Sequence, residues 1–161
     1  MTINSPGFNA HKRDLIFDFA HSGSLAVAET FISDENSFKA LTSNWSGPVF
    51  CSPVSGKGTG VSLFISKRFD GQVVSWKRDT DGGVISLLIN HSDFNLNIVC
   101  VYAPTQPAQR NCFLRSLHGF FFTCACLIVC GDFNCYKNVR DKFGGNPVLT
   151  SEFANLKSNL S

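Results

Sequence analysis

Five polar residues end or directly follow apolar, strand-like segments of the sequence: Asn4, Glu29, Tyr102, Asp132 and Asn134. The last two belong to Gly131-Asp132-Phe133-Asn134, which comes directly after the apolar run 127–130. If these strands run in the same direction, their carboxyl ends meet along one edge, where α/β sheets usually bind ligands. We therefore predict a polar site at the ends of these strands.

These residue types suit the metal-assisted cleavage of a phosphodiester. The carboxylate of Glu29 is a hard oxygen ligand of the kind that Mg²⁺ prefers, completed by waters and a substrate phosphate. Asp132 would orient or deprotonate the attacking water. Asn4 and Asn134 would donate to phosphate oxygens without adding negative charge. The hydroxyl of Tyr102 would contact a phosphate oxygen or the charge that develops there.

Each of these residues also has a purely structural explanation. Asp132 and Asn134 are types that are common in turns after strands. Glu29 can be an ordinary charge near the start of a helix, and Tyr102 a core residue with a satisfied hydroxyl. Only the joint placement of the five residues favours the functional interpretation.

Hydrophobic periodicity predicts the elements that must position these residues. Strands are predicted at 2–4, 25–28, 49–51, 61–65, 73–76, 84–89, 94–102 and, as a buried strand, 127–130. Helices are predicted after Asn9, over 34–41 with Ser33 or Asp34 as cap, over 108–121 and over 150–160. The helices flank a run of antiparallel strands, which favours an α/β sandwich of two packed sheets with outer helices.

In the first of these helices we expect one face formed by Leu15, Ile16 and Phe19, with polar residues in water. In the helix over 108–121 we expect four residues to point inward: Phe113, Leu114, Leu117 and Phe121.

Composition indicates one soluble domain. The 161 residues and 43% apolar content are enough for a sizeable core. A net charge of +2 neither requires nor excludes a nucleic-acid partner. No apolar run is long enough to span a membrane, and no secretory signal is visible. We expect an intracellular protein, with nucleus and cytoplasm left open.

Seven cysteines occur without any CxxC pair. Cys124, Cys126, Cys130 and Cys135 cluster near the apolar run. We expect them to be buried, reduced thiols, with zinc binding and disulfides as the alternatives.

Glycines and basic residues suggest two further kinds of site. The stretch Gly56–Gly60 opens a strand instead of a helix and lacks the spacing of a phosphate-binding loop, so hairpin glycines explain it better. The basic groups Lys67-Arg68, Lys77-Arg78 and 137–142 would suit a DNA backbone, although solvated turn charges are the favoured explanation.

Several segments resemble, in chain order, the motifs of endonuclease/exonuclease/phosphatase domains: Asn4 after a strand, Ala28-Glu29-Thr30, Tyr102-Ala103-Pro104-Thr105 and Gly131-Asp132-Phe133-Asn134. The likeness is greatest to the apurinic-endonuclease-like domain of LINE-type (non-LTR) retrotransposons, which accompanies a reverse transcriptase. The resemblance implies a four-layer α/β/β/α sandwich that hydrolyses phosphodiester bonds of DNA with Mg²⁺, or with Mn²⁺ as an alternative.

The resemblance also implies a role for each residue. Glu29 would bind the metal, and Asn4 would support the metal or the phosphate. Tyr102 would contact the scissile phosphate, and Asp132 would position the nucleophilic water. Asn134 would bind the phosphate and stabilise the transition state.

One motif of the family is missing, because no Asp-His dipeptide occurs in the sequence. Its four histidines fall at predicted helix or turn positions, where surface roles are expected. We therefore expect a single, C-terminally incomplete domain over 1–161 that is inactive or impaired alone. The alternatives are a non-catalytic remnant with at most DNA binding, or a phosphatase or phosphodiesterase of the same fold with another substrate.

Overall fold

The computed structural model describes residues 2–4, 13–14, 17, 24–28, 30, 34–53, 60–123 and 125–135; at 2–4, 24–28 and 53 this description concerns the backbone. The chain divides into two compact units. The first comprises Met1–Tyr102 with Phe120–Asp132, and the second comprises Ala103–Gly119 with Phe133–Ser161. Several predictions lie outside the described residues: Leu15, Ile16, Phe19, Glu29, Cys124, the basic loop after 136 and the helix over 150–160.

The first unit contains two four-stranded sheets. The first sheet has the order β1-β2-β4-β3 and consists of β1 (Thr2–Asn4), β2 (Ser24–Ala28), β3 (Val49–Pro53) and β4 (Gly60–Ile65). β1 and β2 are parallel, and β4 is antiparallel to β2 and β3. The second sheet runs in the order β5 (Gln72–Arg78), β6 (Val84–Asn90), β7 (Asn95–Tyr102) and β8 (Cys126–Asp132). Here β8 is parallel to β7, and the other pairs are antiparallel.

The core lies between these two sheets. Alternate apolar residues of β4 face those of β6 and β7, in a cluster that includes Val61, Leu63, Ile85, Leu87 and Ile98. Alternating residues of a strand point to opposite faces of the sheet, so this pattern places one face of each sheet in the core. The predicted α/β sandwich of two packed sheets is confirmed.

A second cluster covers the other face of the first sheet. There Phe64 of β4 meets the rings of Phe17, Phe38 and Trp45, with centroid distances of 5.7, 6.3 and 5.6 Å respectively. The α1 helix (Glu35–Thr42) supplies Phe38. Apolar packing on both faces explains why β4 is buried along its whole length.

The start of α1 follows the local signal in the sequence. Asp34 is its N-cap, and its carboxylate accepts bonds from the backbone N–H of Ser37 at 2.8 Å and from the Ser37 hydroxyl at 2.7 Å. This side chain satisfies one of the donors that every helix leaves unpaired at its beginning. The predicted helix is confirmed, and of the two caps considered, Ser33 and Asp34, it has Asp34.

A buried polar network lies on the outer face of the second sheet. Asn97 donates through Nδ2 to the Ser86 hydroxyl at 2.8 Å and to the Leu87 carbonyl at 3.0 Å, and its Oδ1 accepts from the Phe122 N–H at 3.0 Å. The Ser86 hydroxyl in turn donates to the Phe120 carbonyl at 2.6 Å. Asn97 is 0% exposed. These bonds tie the segment that leads into β8 to the middle of the sheet.

The apolar run 127–130 was predicted to form a buried strand, and the prediction of burial is wrong. The strand forms, but Leu127 is 37% and Ile128 is 49% exposed. Within the described residues β8 is an edge strand that pairs with β7 alone. An apolar run is buried on both faces only where other elements cover both. The buried-thiol prediction is likewise wrong for Cys126, which is exposed.

The helix predicted over 108–121 is also shorter than expected. The α2 helix (Pro107–Ser116) gives way to a 3₁₀ turn over Leu117–Phe120. Glycine at position 119 disfavours continued α-helix, and 3₁₀ turns commonly end helices. Leu114 and Leu117 are buried as predicted.

In the described part of the chain, no helix is long and apolar enough to cross a membrane.

Candidate active site at the carboxyl ends of the strands

One hydrogen-bonded contact shows that the carboxyl ends of both sheets share an edge. The Ser52 hydroxyl, near the end of β3, donates to the Asp79 carboxylate and carbonyl at 3.1 Å. Asp79 directly follows β5. Strand β3 runs in the direction of β1 and β2, and β5 in that of β7 and β8. We call this edge, formed by the carboxyl ends of these six strands, the carboxyl rim.

Tyr102 and Asp132 lie side by side on this rim. They are register partners at the ends of the parallel strands β7 and β8. Their side chains therefore share one face of the sheet, about 5 Å apart at their backbones. Tyr102 is half-buried and packs against the inter-sheet core, and Asp132 is half-buried as well. The structure thus brings together two of the five predicted site residues.

Gly131 allows β8 to approach β7 closely beside Asp132. Its φ is +126°, a conformation that L side chains rarely adopt. A Cβ at this position would also overlap the backbone carbonyl of Val101. The glycine of the Gly-Asp-Phe-Asn motif is therefore required by the backbone next to the carboxylate.

Asp79 holds the hairpin that supports Tyr102. Its carboxylate accepts from the backbone N–H groups of Gly83 and Val84, both at 3.0 Å. The Gly83 carbonyl then accepts from the Tyr102 N–H at 2.8 Å. Asp79 is a supporting residue that was not among the predicted site residues. Its signal was an Asp ahead of a Gly-Gly turn, where a short carboxylate often binds nearby backbone N–H groups.

Of the two predicted metal ligands, Asn4 is described by its backbone alone. Asn4 ends β1 and is the register partner of Ala28, and β1 contacts β8 across the sandwich. Glu29 itself is outside the described residues. Its neighbour Thr30 is buried, and the Thr30 N–H donates to the Gly60 carbonyl at 2.9 Å. Both chain neighbours of Glu29 are therefore held at the carboxyl rim.

In the second unit, Asn134 joins the two motif turns. Its φ is +47°, a left-handed conformation that asparagine tolerates better than most residues. Its Nδ2 donates to the Ala103 carbonyl at 2.6 Å. Arg110 stabilises the same Tyr-Ala-Pro-Thr turn, donating to the Thr105 carbonyl at 2.7 Å.

The other candidate residues give a mixed outcome. Lys77 and Arg78 belong to strand β5, so their prediction as turn charges is wrong; the Lys77 ammonium lies 4.4 Å from the Phe122 ring centroid. His91 occupies a turn, as predicted, and stacks on Phe94. Among the residues described, no group of three or more His, Cys, Asp or Glu side chains is placed to hold a metal ion.

Two cysteine thiols lie next to each other on β7 and β8, close to the carboxyl rim. Cys100 and Cys130 are register partners, two residues before Tyr102 and Asp132. The hydrogen bond with Cys130 and complete burial raise the pKa of the Cys100 thiol well above its usual value. Because the thiolate is the reactive form, Cys100 is an inert core residue at neutral pH.

Comparisons with known proteins show the fold. No protein-family model matches the chain. It is 28% identical over 149 residues to a Xenopus laevis protein described as the transposon TX1 uncharacterized 149 kDa protein; the match covers 88% of this chain and only 11% of that protein. An AP endonuclease from Archaeoglobus fulgidus superposes with a TM-score of 0.71 at 14% identity, over 99% of this chain and 68% of the other. For D. rerio TDP2 complexed with single strand DNA product, the TM-score is 0.59 at 14% identity, with 92% and 57% covered. The predicted resemblance is confirmed: the chain folds like these AP endonuclease and TDP2 structures and is similar in sequence to a transposon protein.

Proposed function

We propose that this chain carries the DNA-nicking site of a retrotransposon-type endonuclease, a metal-dependent phosphodiester hydrolase. The observation that supports this most directly is the pairing of Tyr102 with Asp132 at the carboxyl rim, enforced by Gly131. One protein of the same fold is an AP endonuclease, and another holds a single-stranded DNA product. The similarity to a transposon protein favours insertion-site cleavage over the phosphatase alternatives.

In the proposed reaction, Asp132 accepts a proton from a water molecule whose oxygen attacks the phosphorus. The bond from phosphorus to the leaving ester oxygen then breaks, and that oxygen takes up a proton from solvent water. The Tyr102 hydroxyl donates to a non-bridging phosphate oxygen as charge develops on it.

The donor types at the rim fit a hard divalent cation. Asn4 ends β1, and β1 contacts β8. Together with Glu29 it would hold Mg²⁺, since carboxylate and carbonyl oxygens are the ligands that this ion prefers. A bound Mg²⁺ would neutralise part of the phosphate charge.

The missing Asp-His pair defines a sharp test. In the family that the chain resembles, this pair completes proton transfer, so we expect the chain without it to cut a natural phosphodiester poorly. We therefore expect the 161-residue chain to leave supercoiled plasmid intact with Mg²⁺. A p-nitrophenyl ester of thymidine monophosphate needs no such proton, because p-nitrophenolate leaves as a stable anion. We expect the chain to release p-nitrophenolate from this ester with Mg²⁺ or Mn²⁺.

The matched variants separate a catalytic carboxylate from a general loss of structure. Asp132→Ala should lower ester hydrolysis by about 10²-fold or more, the usual contribution of a positioned base. Asp81→Ala removes a carboxylate from an exposed hairpin position and should leave the rate unchanged. Equal rates for Asp132→Ala and the parent chain would refute the proposed site. Absence of any metal-dependent release would identify the chain as a non-catalytic remnant.

A further inference from the structure

A groove of about 290 Å³ lies at the edge of the first unit, between α1, β3 and β5. Its walls are mainly apolar and aromatic, with cationic groups at the margin. The residues that matter here are Phe38, Lys39, Phe50, Cys51, Trp76 and Arg78. None of them was assigned a role by the predicted endonuclease motifs.

Trp76 forms one wall of this groove. It is the register partner of the core residue Leu87, so its side chain points to the inner face of the second sheet. At this edge the sheets leave it 45% exposed. Its ring rests against Phe50 with a centroid distance of 5.6 Å. One side of the indole is therefore supported by the protein while much of the ring remains accessible.

Two cations, Lys39 and Arg78, line the same groove. The guanidinium of Arg78 lies 5.7 Å from the Trp76 ring centroid and donates to the Glu35 carboxylate at 3.1 Å. The side chains of this ion pair are 39% and 53% exposed, and such exposed pairs contribute little stability. Lys39 and Arg78 both act electrostatically on the nearby Cys51 thiol. The charged groups of the groove sum to one positive charge, and an incoming anion can replace Glu35 beside Arg78.

The position of the groove relates it to the candidate active site. Arg78, Ile85, Cys100 and Cys130 are successive register partners across β5, β6, β7 and β8. Three strand spacings of about 4.8 Å separate the first of these from the last, or about 14 Å in total. At the rise of about 3.4 Å per nucleotide in a B-form strand, that distance corresponds to roughly four nucleotides.

We propose that this groove binds one unpaired nucleobase of a DNA single strand, stacked on Trp76, with the adjacent phosphate on Arg78 and Lys39. An accessible aromatic face beside cations is the arrangement with which proteins bind single strands without sequence preference. The groove is too small for a helix or an extended peptide with side chains but large enough for a base. The choice of DNA rests on the proposed function, and the groove extends that function by selecting unpaired strands near the cleavage point.

The test measures binding without catalysis. A fluorescently labelled oligothymidylate of about twelve nucleotides, within the range of known single-strand sites, is titrated with the 161-residue chain in EDTA. Trp76→Ala should weaken binding about 10-fold or more, since it removes the ring on which the base stacks. Trp76→Phe should restore most of the affinity. Val74→Ala, on the same strand but outside the groove, should leave it unchanged.

The proposed contact between Arg78 and a phosphate is tested by the salt dependence of the affinity. Arg78→Gln should reduce the slope of log affinity against log salt by about 0.7, the value for one phosphate contact in a single strand. Unaltered affinity with Trp76→Ala, or equal competition by inorganic polyphosphate and oligothymidylate, would overturn the proposal. In the first case the ring does not stack, and in the second the site recognises charge alone.

The outcome is independent of the fate of the catalytic proposal. The p-nitrophenyl ester is too short to reach the groove, so Trp76→Ala should hydrolyse it at the parental rate. Ester hydrolysis with unchanged oligothymidylate binding in Trp76→Ala would refute the groove and keep the nuclease. Stacking-dependent binding without any ester hydrolysis would keep the groove and refute the nuclease.

Discussion

Replacing Asn97 with alanine should be among the most destabilising single changes in this chain. The substitution removes three hydrogen bonds of 2.8–3.0 Å, two donated by its amide and one accepted from the Phe122 N–H. At about 1 kcal/mol net for each bond, their loss costs about 3 kcal/mol. The Leu87 carbonyl and the Phe122 N–H also lose a partner in a buried region. We therefore expect the free energy of unfolding to fall by about 3–5 kcal/mol.

The matched control is Asn95→Ala. Asn95 lies two residues away on β7, so it shares the sheet face of Asn97, but it is exposed. Its replacement should change the free energy of unfolding by no more than about 0.5 kcal/mol. Urea unfolding followed by far-UV circular dichroism measures both values on the 161-residue chain. The two asparagines have the same chemistry and local sequence setting, so a difference between them reports burial and hydrogen bonding.

A double-mutant cycle locates the effect within the network. Because Asn97 donates to the Ser86 hydroxyl at 2.8 Å, Ser86→Ala and Asn97→Ala should be non-additive by about 1 kcal/mol. Equal effects at positions 95 and 97 would refute the reasoning, since the buried network would then contribute no stability. Additivity of the 86 and 97 substitutions would show that the hydroxyl and the amide act separately.

Two further predictions concern Gly131 and Cys51. Gly131→Ala should lower the free energy of unfolding by about 2–4 kcal/mol and abolish ester hydrolysis, because its Cβ would overlap β7 and its φ is +126°. Gly119→Ala, whose Cβ would meet nothing within 4 Å, is the stability control, and equal losses would contradict the argument. Burial raises the pKa of the Cys51 thiol from 9.0 to about 11. The thiolate is the form that reacts, so at pH 9 iodoacetamide should alkylate Cys51 about 50-fold more slowly than an unshifted thiol. The unfolded chain ionises first, so the free energy of unfolding should fall as pH rises from 9 to 11. Peptide mass mapping with exposed Cys112 as the reference measures the rates, and comparable alkylation of both residues would contradict the shift.

Most of the secondary structure was predictable because its signals are local. Strands β6 and β7 follow from period-two alternation, and both lie within one residue of the predicted bounds. The α1 helix begins after Asp34, one of its two predicted caps, since an N-cap side chain bonds to the backbone three residues away. The order of motifs along the chain likewise predicted the fold that the structural comparisons confirm.

Burial was less predictable than secondary structure. Asn95 and Asn97 look equivalent in sequence, yet one is exposed and the other fully buried. The apolar run in β8 looked like an interior strand, yet within the described residues it lies at an edge. Alternation shows which residues share a face of a sheet, whereas coverage of that face depends on segments that are distant in sequence.

At the ends of the strands, too, some features follow from the sequence and others from the tertiary structure alone. By itself the sequence determined that Tyr102 and Asp132 close apolar strands, and that a glycine precedes the aspartate. Only the tertiary structure decided that β7 and β8 are parallel neighbours, which sets the two side chains next to each other. It also decided that Ser52 and Asp79 join the sheets and that Trp76 and Arg78 border one groove. Such contacts depend on strand order and register, which arise from the packing of the whole sandwich and leave no local pattern in the chain.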